Sequence, residues 1–371
     1  MSVAEAQYFA LLRSALWDIP VSIEGEVEWN TVMKIAKHHT TSVLLSGVAS
    51  QMTENKRPSD SMLDEMQSVM RLNLINHLKQ KLILVSAVKL LREHDIEPVL
   101  LKGFGLAMLY PNPNLRQFGD IDLYVGLNNF HEACKLLRML PGGYNWREEG
   151  DTGKHYNIEF GPYPMEIHRV SVDLLDPKEA AIYESIEREG LLEKAQRVDF
   201  EGFELSIPSK EFVVFFTFFH AWHHFLTTGV GWRQISDVAV TLHTYHGQLD
   251  CDKLYQWLAA MHLLKPWQAF GCLIVDHLGL PETEMPFRKI SNRRRARKLY
   301  DRIMAEGNFR RPNHFKRNKP QGTMMRKLHA FIGIFVDFFQ LADVFPGQAL
   351  REMHTALKAG LRKKIQKNCF F

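Results

Sequence analysis

Over the first hundred residues apolar side chains recur at every third or fourth position, the spacing of a helix with one buried face. This pattern predicts helices over 29–37 and 41–52 and a long one over 61–92, with residues 55–59 as a connecting loop. His94, Asp95 and Ile96 break the period. From 97 to 169 the texture changes to short apolar runs separated by turn residues. The runs 98–101 and 121–125 predict strands, 104–110 a short helix stopped by Pro111 and Pro113, and 128–140 a helix closed by Pro141-Gly142-Gly143. Residues 156–160 and 165–170 read as two strands joined by Gly161-Pro162-Tyr163-Pro164. Beyond Asp176 the helical period returns over 178–194, 209–228, 232–246, 252–262 and 264–277. It resumes over 323–342 and 346–366, after an exposed loop at 308–322.

Strand–helix–strand order followed by a hairpin predicts an α+β fold: a small mixed sheet with flanking helices, embedded in N- and C-terminal helical regions. The expected division is a helical region 1–95, a core 96–175, a helical domain 176–282 and a basic helical region 283–371. No internal repeat is visible.

Composition changes this picture little. The 371 residues are 46% hydrophobic and 24% charged, ordinary for a globular chain and long for a single core. Cys134, Cys251, Cys272 and Cys369 lie far apart with no Cys-x-x-Cys pair, a spacing that fits neither a disulfide framework nor a zinc site and suits a reducing cytosol. The N-terminus lacks the pattern of a signal peptide. The most apolar stretches, 212–219 and 331–339, fall well short of the ~20 residues of a membrane span. These features predict a soluble, cytoplasmic protein. Charge adds one feature: the net +4 is concentrated in a basic segment at 288–327, with a second cluster at the end of the chain. Such a segment suits RNA, anionic lipid or an acidic partner, or is a solvated helix face.

The candidate chemistry centres on Gly119-Asp120-Ile121-Asp122. Two aspartates one residue apart on a strand point the same way, because side chains alternate faces. They therefore present two carboxylates to one point, the hard oxygen ligands that Mg2+ or Mn2+ takes alongside substrate phosphates. Upstream, the strand at 98–101 runs into Lys102-Gly103-Phe104-Gly105 and a helix, a turn whose free N–H groups suit an anion. Downstream, Glu166 between Met165 and Ile167 is a third acid on a strand, with His168 on the same face by alternation.

A glycine turn, an Asp-x-Asp between apolar residues and a third acid on a strand resemble the nucleotidyltransferase fold of the polymerase-beta superfamily. More narrowly, Leu100-Leu101-Lys102-Gly103, Leu109-Tyr110-Pro111, Arg116 and Gly119-Asp120-Ile121-Asp122-Leu123 resemble the bacterial uncharacterised nucleotidyltransferase family. The later His220, His224, Trp232, Arg233 and Asp237 match that family's His-rich helix followed by an arginine and an aspartate. The resemblance covers most of the chain. It departs from the superfamily at the turn, where a serine is usual, and at Glu166, where aspartate is usual.

The resemblance implies transfer of a nucleoside monophosphate from a nucleoside triphosphate, ATP among them, to an acceptor hydroxyl or phosphate. Asp120, Asp122 and Glu166 would hold the metal, and Glu166 would also help deprotonate the acceptor. Lys102, Gly103, Gly105 and Arg116 would meet the nucleotide phosphates, or Arg116 would form a structural salt bridge to Asp120 or Asp122. His168, His220, His224, Arg233 and Asp237 are pocket or substrate candidates, the histidines of the helix lining the pocket or hydrogen-bonding to Asp237. The family's association with polysaccharide and envelope genes suggests a sugar or small-molecule acceptor, while RNA and protein stay open. A non-catalytic binding protein of the same fold and a phosphotransferase using the same carboxylates are the rival readings.

Overall fold

The computed structural model describes residues 1–142, 155–174, 176–289, 293–308 and 322–368. Four helices open the chain: α1 (Val3–Trp17), α2 (Trp29–His38), α3 (Ser42–Ala49) and the long α4 (Asp60–Arg92). Ser2 and Glu5 form a capping box at the start of α1, each side chain accepting from the other's backbone N–H. Then come β1 (Val99–Leu100), α5 (Phe104–Ala107), β2 (Ile121–Tyr124), α6 (Gly126–Leu137) and the hairpin β3 (His155–Phe160) and β4 (Tyr163–His168). α7 (Pro177–Glu187) continues as a wider turn to Glu193, and a second hairpin follows, β5 (Gln196–Phe200) and β6 (Phe203–Ile207). The chain goes on through α8 (Lys210–Thr227), α9 (Trp232–Thr244), α10 (Cys251–Ala260), α11 (Leu264–Leu273) and α12 (Arg293–Glu306). Two further helices span Thr323–Ala342 and Pro346–Asn368.

The fold is α+β, built on one six-stranded mixed sheet of order β3-β4-β2-β1-β6-β5. The two-residue β1 is central to it, antiparallel to β2 and parallel to β6. β2 runs parallel to β4, with Asp122 facing Glu166 and Tyr124 facing His168. The β5–β6 hairpin, which the helical reading beyond Asp176 misses, has a local signature. Apolar and polar residues alternate on both sides of Glu201-Gly202, whose φ values of 50° and 82° give the two-residue turn that matches strand twist. The sheet therefore takes two strands from beyond residue 175.

Alternation sorts the two faces. Ile121, Leu123, Met165 and Ile167 point into an apolar cluster with Leu84, Val88 and Leu91 of α4 and Phe130, Ala133 and Leu137 of α6. The opposite face carries Asp122, Glu166 and His168 toward α8 and α9, which pack together over a second, larger core rich in phenylalanine. The phenylalanines of α8 lie in that core: Phe212, Phe215 and Phe218 are fully buried. Among the described residues no single helix is long and apolar enough to cross a membrane. Residues 309–321 of the basic segment, and with them most of the expected loop at 308–322, lie outside the described residues.

Candidate metal centre and its cavity

Asp120 stands just before β2 and Asp122 within it, while Glu166 sits directly across from Asp122 on β4. Parallel register thus supplies what sequence separation hides: two strands 44 residues apart at these positions place three carboxylates together. One oxygen of each of Asp120, Asp122 and Glu166 lies within 4.8 Å of the others. Asp122 is fully buried, and its Oδ2 has no hydrogen-bond partner. A buried carboxylate oxygen without a donor is costly unless something positive binds it. A divalent ion fits this carboxylate oxygen, and the all-oxygen donor set suits a hard one.

Lys102 offsets part of this charge. The Leu101 N–H donates to the Asp122 carbonyl at 3.1 Å, extending the β1–β2 pairing and setting Lys102 beside the acids. Lys102 Nζ lies 3.0 Å from Asp122 Oδ1 and 3.7 Å from Asp120 Oδ2. Burial alone would lower the lysine's pKa, yet Asp122, Asp120 and Glu166 together hold it above its usual value. His168 Nε2 lies 2.9 Å from Asp122 Oδ1 and 3.3 Å from Glu166 Oε2. Burial pushes the Glu166 carboxyl up, but the hydrogen bond from His168, the charge of Lys102 and the nearby histidines outweigh it and bring it down to about 2.

The turn after β1 is shaped by Gly103. Its φ of 62° and ψ of −111° suit glycine, and a Cβ there would stand 3.0 Å from the Asp120 carbonyl oxygen. A Cβ on Gly105 would make only ordinary contacts with Leu100, so that residue is not needed for room. The helix that follows, α5, is only four residues long and offers little dipole.

Arg116 is almost completely buried. Its Nε and Nη2 donate to Asp237 Oδ1 and Oδ2 at 2.7 and 2.9 Å, and its Nη1 donates to the Gly103 carbonyl at 3.0 Å. Tyr110 adds an O–H donated to Asp237 Oδ1 at 2.6 Å. Asp237 of α9 is thus tied to the turn, and the salt bridge of Arg116 goes to it rather than to Asp120 or Asp122.

The loop leading into β2 is held from behind by α4. Asn73 Nδ2 donates to the Asn114 carbonyl at 2.6 Å, His77 Nε2 lies 2.9 Å from the Arg116 carbonyl, and Gln80 Nε2 donates to the Gly119 carbonyl at 3.3 Å. Positions 73, 77 and 80 share one helix face. Sequence reasoning missed them, although three buried polar residues at i, i+4 and i+7 are a readable sign of backbone to be satisfied.

A cavity of about 640 Å³ opens over the carboxylates, of a size usual for small-molecule sites. Lys102, Gly103, Arg116, Asp120 and Glu166 line one side of it, and His220, His224, Arg233 and Asp237 the other. His220 and His224 face each other with Nε2 atoms 3.2 Å apart, and the imidazole of His224 also meets Thr228 Oγ1 at 2.7 Å. Burial, then the charges of Lys102, His223 and Arg233, press His224 down to about 4. Asp237 bonds to Arg116 and Tyr110 instead of these histidines. Arg233 donates from Nη1 to the Gln117 carbonyl at 3.4 Å, while its buried Nε has no partner.

No curated protein and no solved structure matches the chain at a significant level. A family described as uncharacterised nucleotidyltransferase matches residues 25–279, a span that holds the turn, all three acids and both helices of the cavity wall. The chain belongs to that uncharacterised nucleotidyltransferase family.

Proposed function

We propose that the protein transfers a nucleoside monophosphate from a nucleoside triphosphate to an acceptor hydroxyl or phosphate, with Mg2+ or Mn2+ held by Asp120, Asp122 and Glu166. The observation that carries this reading is the buried, unpartnered Asp122 Oδ2 within a three-carboxylate cluster on the wall of a nucleotide-sized cavity. Bound ions would neutralise charge on the attacking and leaving oxygens. The residues of the chain then supply position and charge. Lys102, held among the acids, is the point charge for a nucleotide phosphate. Glu166, ionised at neutral pH, is better suited to be a ligand than a proton acceptor. Arg116 holds the Gly103 turn in place through its carbonyl. Arg233, with donor capacity unused at the far wall, meets the triphosphate or an anionic acceptor.

The test uses triphosphates labelled at the α or the γ position, incubated with the protein, Mg2+ and a cell extract, beside the Asp120→Ala and Asp122→Ala variants. Transfer of α label that disappears in both variants and on chelation is the expected result. Transfer of γ label instead would make the protein a phosphotransferase, and no nucleotide binding or transfer at all would overturn the enzyme reading.

A further inference from the structure

The polar face of the sheet sets two rows of side chains next to each other. Register aligns Asn157, Glu166 and Asp122 across β3, β4 and β2, and beside them His155, His168 and Tyr124. Glu166 therefore has acids on one side and imidazoles on the other. Its Oε2 lies 3.3 Å from His168 Nε2 and its Oε1 lies 3.8 Å from His155 Nε2. One donor atom from each of His155, Glu166 and His168 falls within 4.8 Å of the other two. Donors bound at about 2.1 Å to a tetrahedral ion stand roughly 3.4 Å apart, so small side-chain rotations bring all three onto one point. Asn157, directly across from Glu166, adds an independent sign: its Oδ1 is buried and has no hydrogen-bond partner.

We propose that His155, Glu166 and His168 form a second cation site, for a first-row transition ion such as Zn2+, with Asn157 Oδ1 available as a fourth donor. Two imidazoles and one carboxylate favour a borderline ion, whereas the all-carboxylate cluster beside it favours a hard one. Glu166 belongs to both clusters. A metal ion at His168 Nε2 displaces the proton that this nitrogen donates to Asp122, which moves to the unpartnered Nδ1, so the hydrogen bond is exchanged for a metal bond and Asp122 is released toward the hard-ion site. The site goes beyond nucleotidyl transfer, since it is defined by its ligands whatever reaction occurs next to it.

The experiment is a titration of the full-length, chelator-stripped protein with Co2+, a visible-absorbing stand-in for Zn2+, in excess Mg2+ to fill the carboxylate site. Calorimetry with Zn2+ runs in parallel. One Co2+ per chain is expected, with absorption bands of nitrogen-containing coordination. His155→Ala, at the imidazole less buried than His168, weakens binding more than about 100-fold, beyond the 10–100-fold typical when only a ligand's hydrogen-bond partner is lost. Asp120→Asn retains the site. His155→Gln, checked for an unchanged melting curve, separates loss of a ligand from loss of the fold. Absence of Co2+ binding overturns the proposal. So does binding that survives both His155 substitutions, or binding abolished by Asp120→Asn. Co2+ bound in this way without any label transfer would refute the transferase reading and leave the site standing. Label transfer without Co2+ binding would do the reverse.

Discussion

The Arg116–Asp237 pair allows a quantitative test of how the site is braced. Both side chains are almost wholly buried, and two parallel N–H···O contacts of 2.7 and 2.9 Å join them. Replacing Asp237 by Asn keeps the shape but removes the negative charge, leaving a guanidinium charge uncompensated inside the protein. Breaking a buried pair from one side costs about 3–5 kcal/mol, far more than the roughly 0–1 kcal/mol of a surface pair. Urea unfolding is the assay. The midpoint should fall with an unchanged slope on denaturant, because the surface exposed on unfolding is the same. The double variant Arg116→Met/Asp237→Leu removes both charges and should recover most of the loss. It should stay about 1–3 kcal/mol short, because the Gly103 carbonyl loses its donor and the buried Tyr110 hydroxyl its acceptor. A loss below about 1 kcal/mol in Asp237→Asn, or a double variant as unstable as the two singles summed, would refute the assignment of this pair as a dry, coupled brace.

Other outcomes follow from the same geometry. Gly103→Ala forces a Cβ to 3.0 Å from the Asp120 carbonyl at positive φ, and should cost about 1–3 kcal/mol in urea unfolding while lowering α-label transfer. Arg233→Met should raise the KM for the triphosphate about tenfold or more, the scale of a lost hydrogen bond to a charged group; an unchanged KM would remove Arg233 from the nucleotide or acceptor path. Stability should also fall in acid. Burial holds His39, His224 and His277 neutral down to about 3, 4 and 4, against 6.5 for an ordinary histidine. Their contribution is complete above about pH 6.5 and is lost as pH falls toward 4, because the unfolded chain takes up the protons first. Each adds a slope of up to about 1.4 kcal/mol per pH unit, and His277→Phe should flatten the urea midpoint's pH dependence by one histidine's share.

Much of this fold could be read locally. The long helix at 60–92 and the strand carrying Asp122 follow from periodicity alone, since one buried face imposes its spacing on the residues. The β5–β6 hairpin was also legible, in the alternation around Glu201-Gly202, but its place beside β1 was not, because strand partners over 100 residues apart leave no local trace. At the site the alternation of Asp120 and Asp122 and of Glu166 and His168 was visible. Invisible were the partners chosen across elements: Arg116 with Asp237, His155 with Glu166, and the α4 amides with the loop carbonyls. Such pairings are decided by packing geometry, to which a side chain's type contributes little.

The central position of the two-residue β1 has a consequence for folding. Its neighbours are β2, about twenty residues later, and β6, about a hundred residues later. During synthesis the sheet therefore carries an open edge at β1 until residue 207 has emerged, and the last long-range pairing sets the pace of assembly. A fragment ending near residue 175 would expose that edge to other chains. Expression of the segment carrying the three carboxylates alone should yield aggregate, whereas a fragment extended through α9 restores both the missing strand and the carboxylate that holds Arg116.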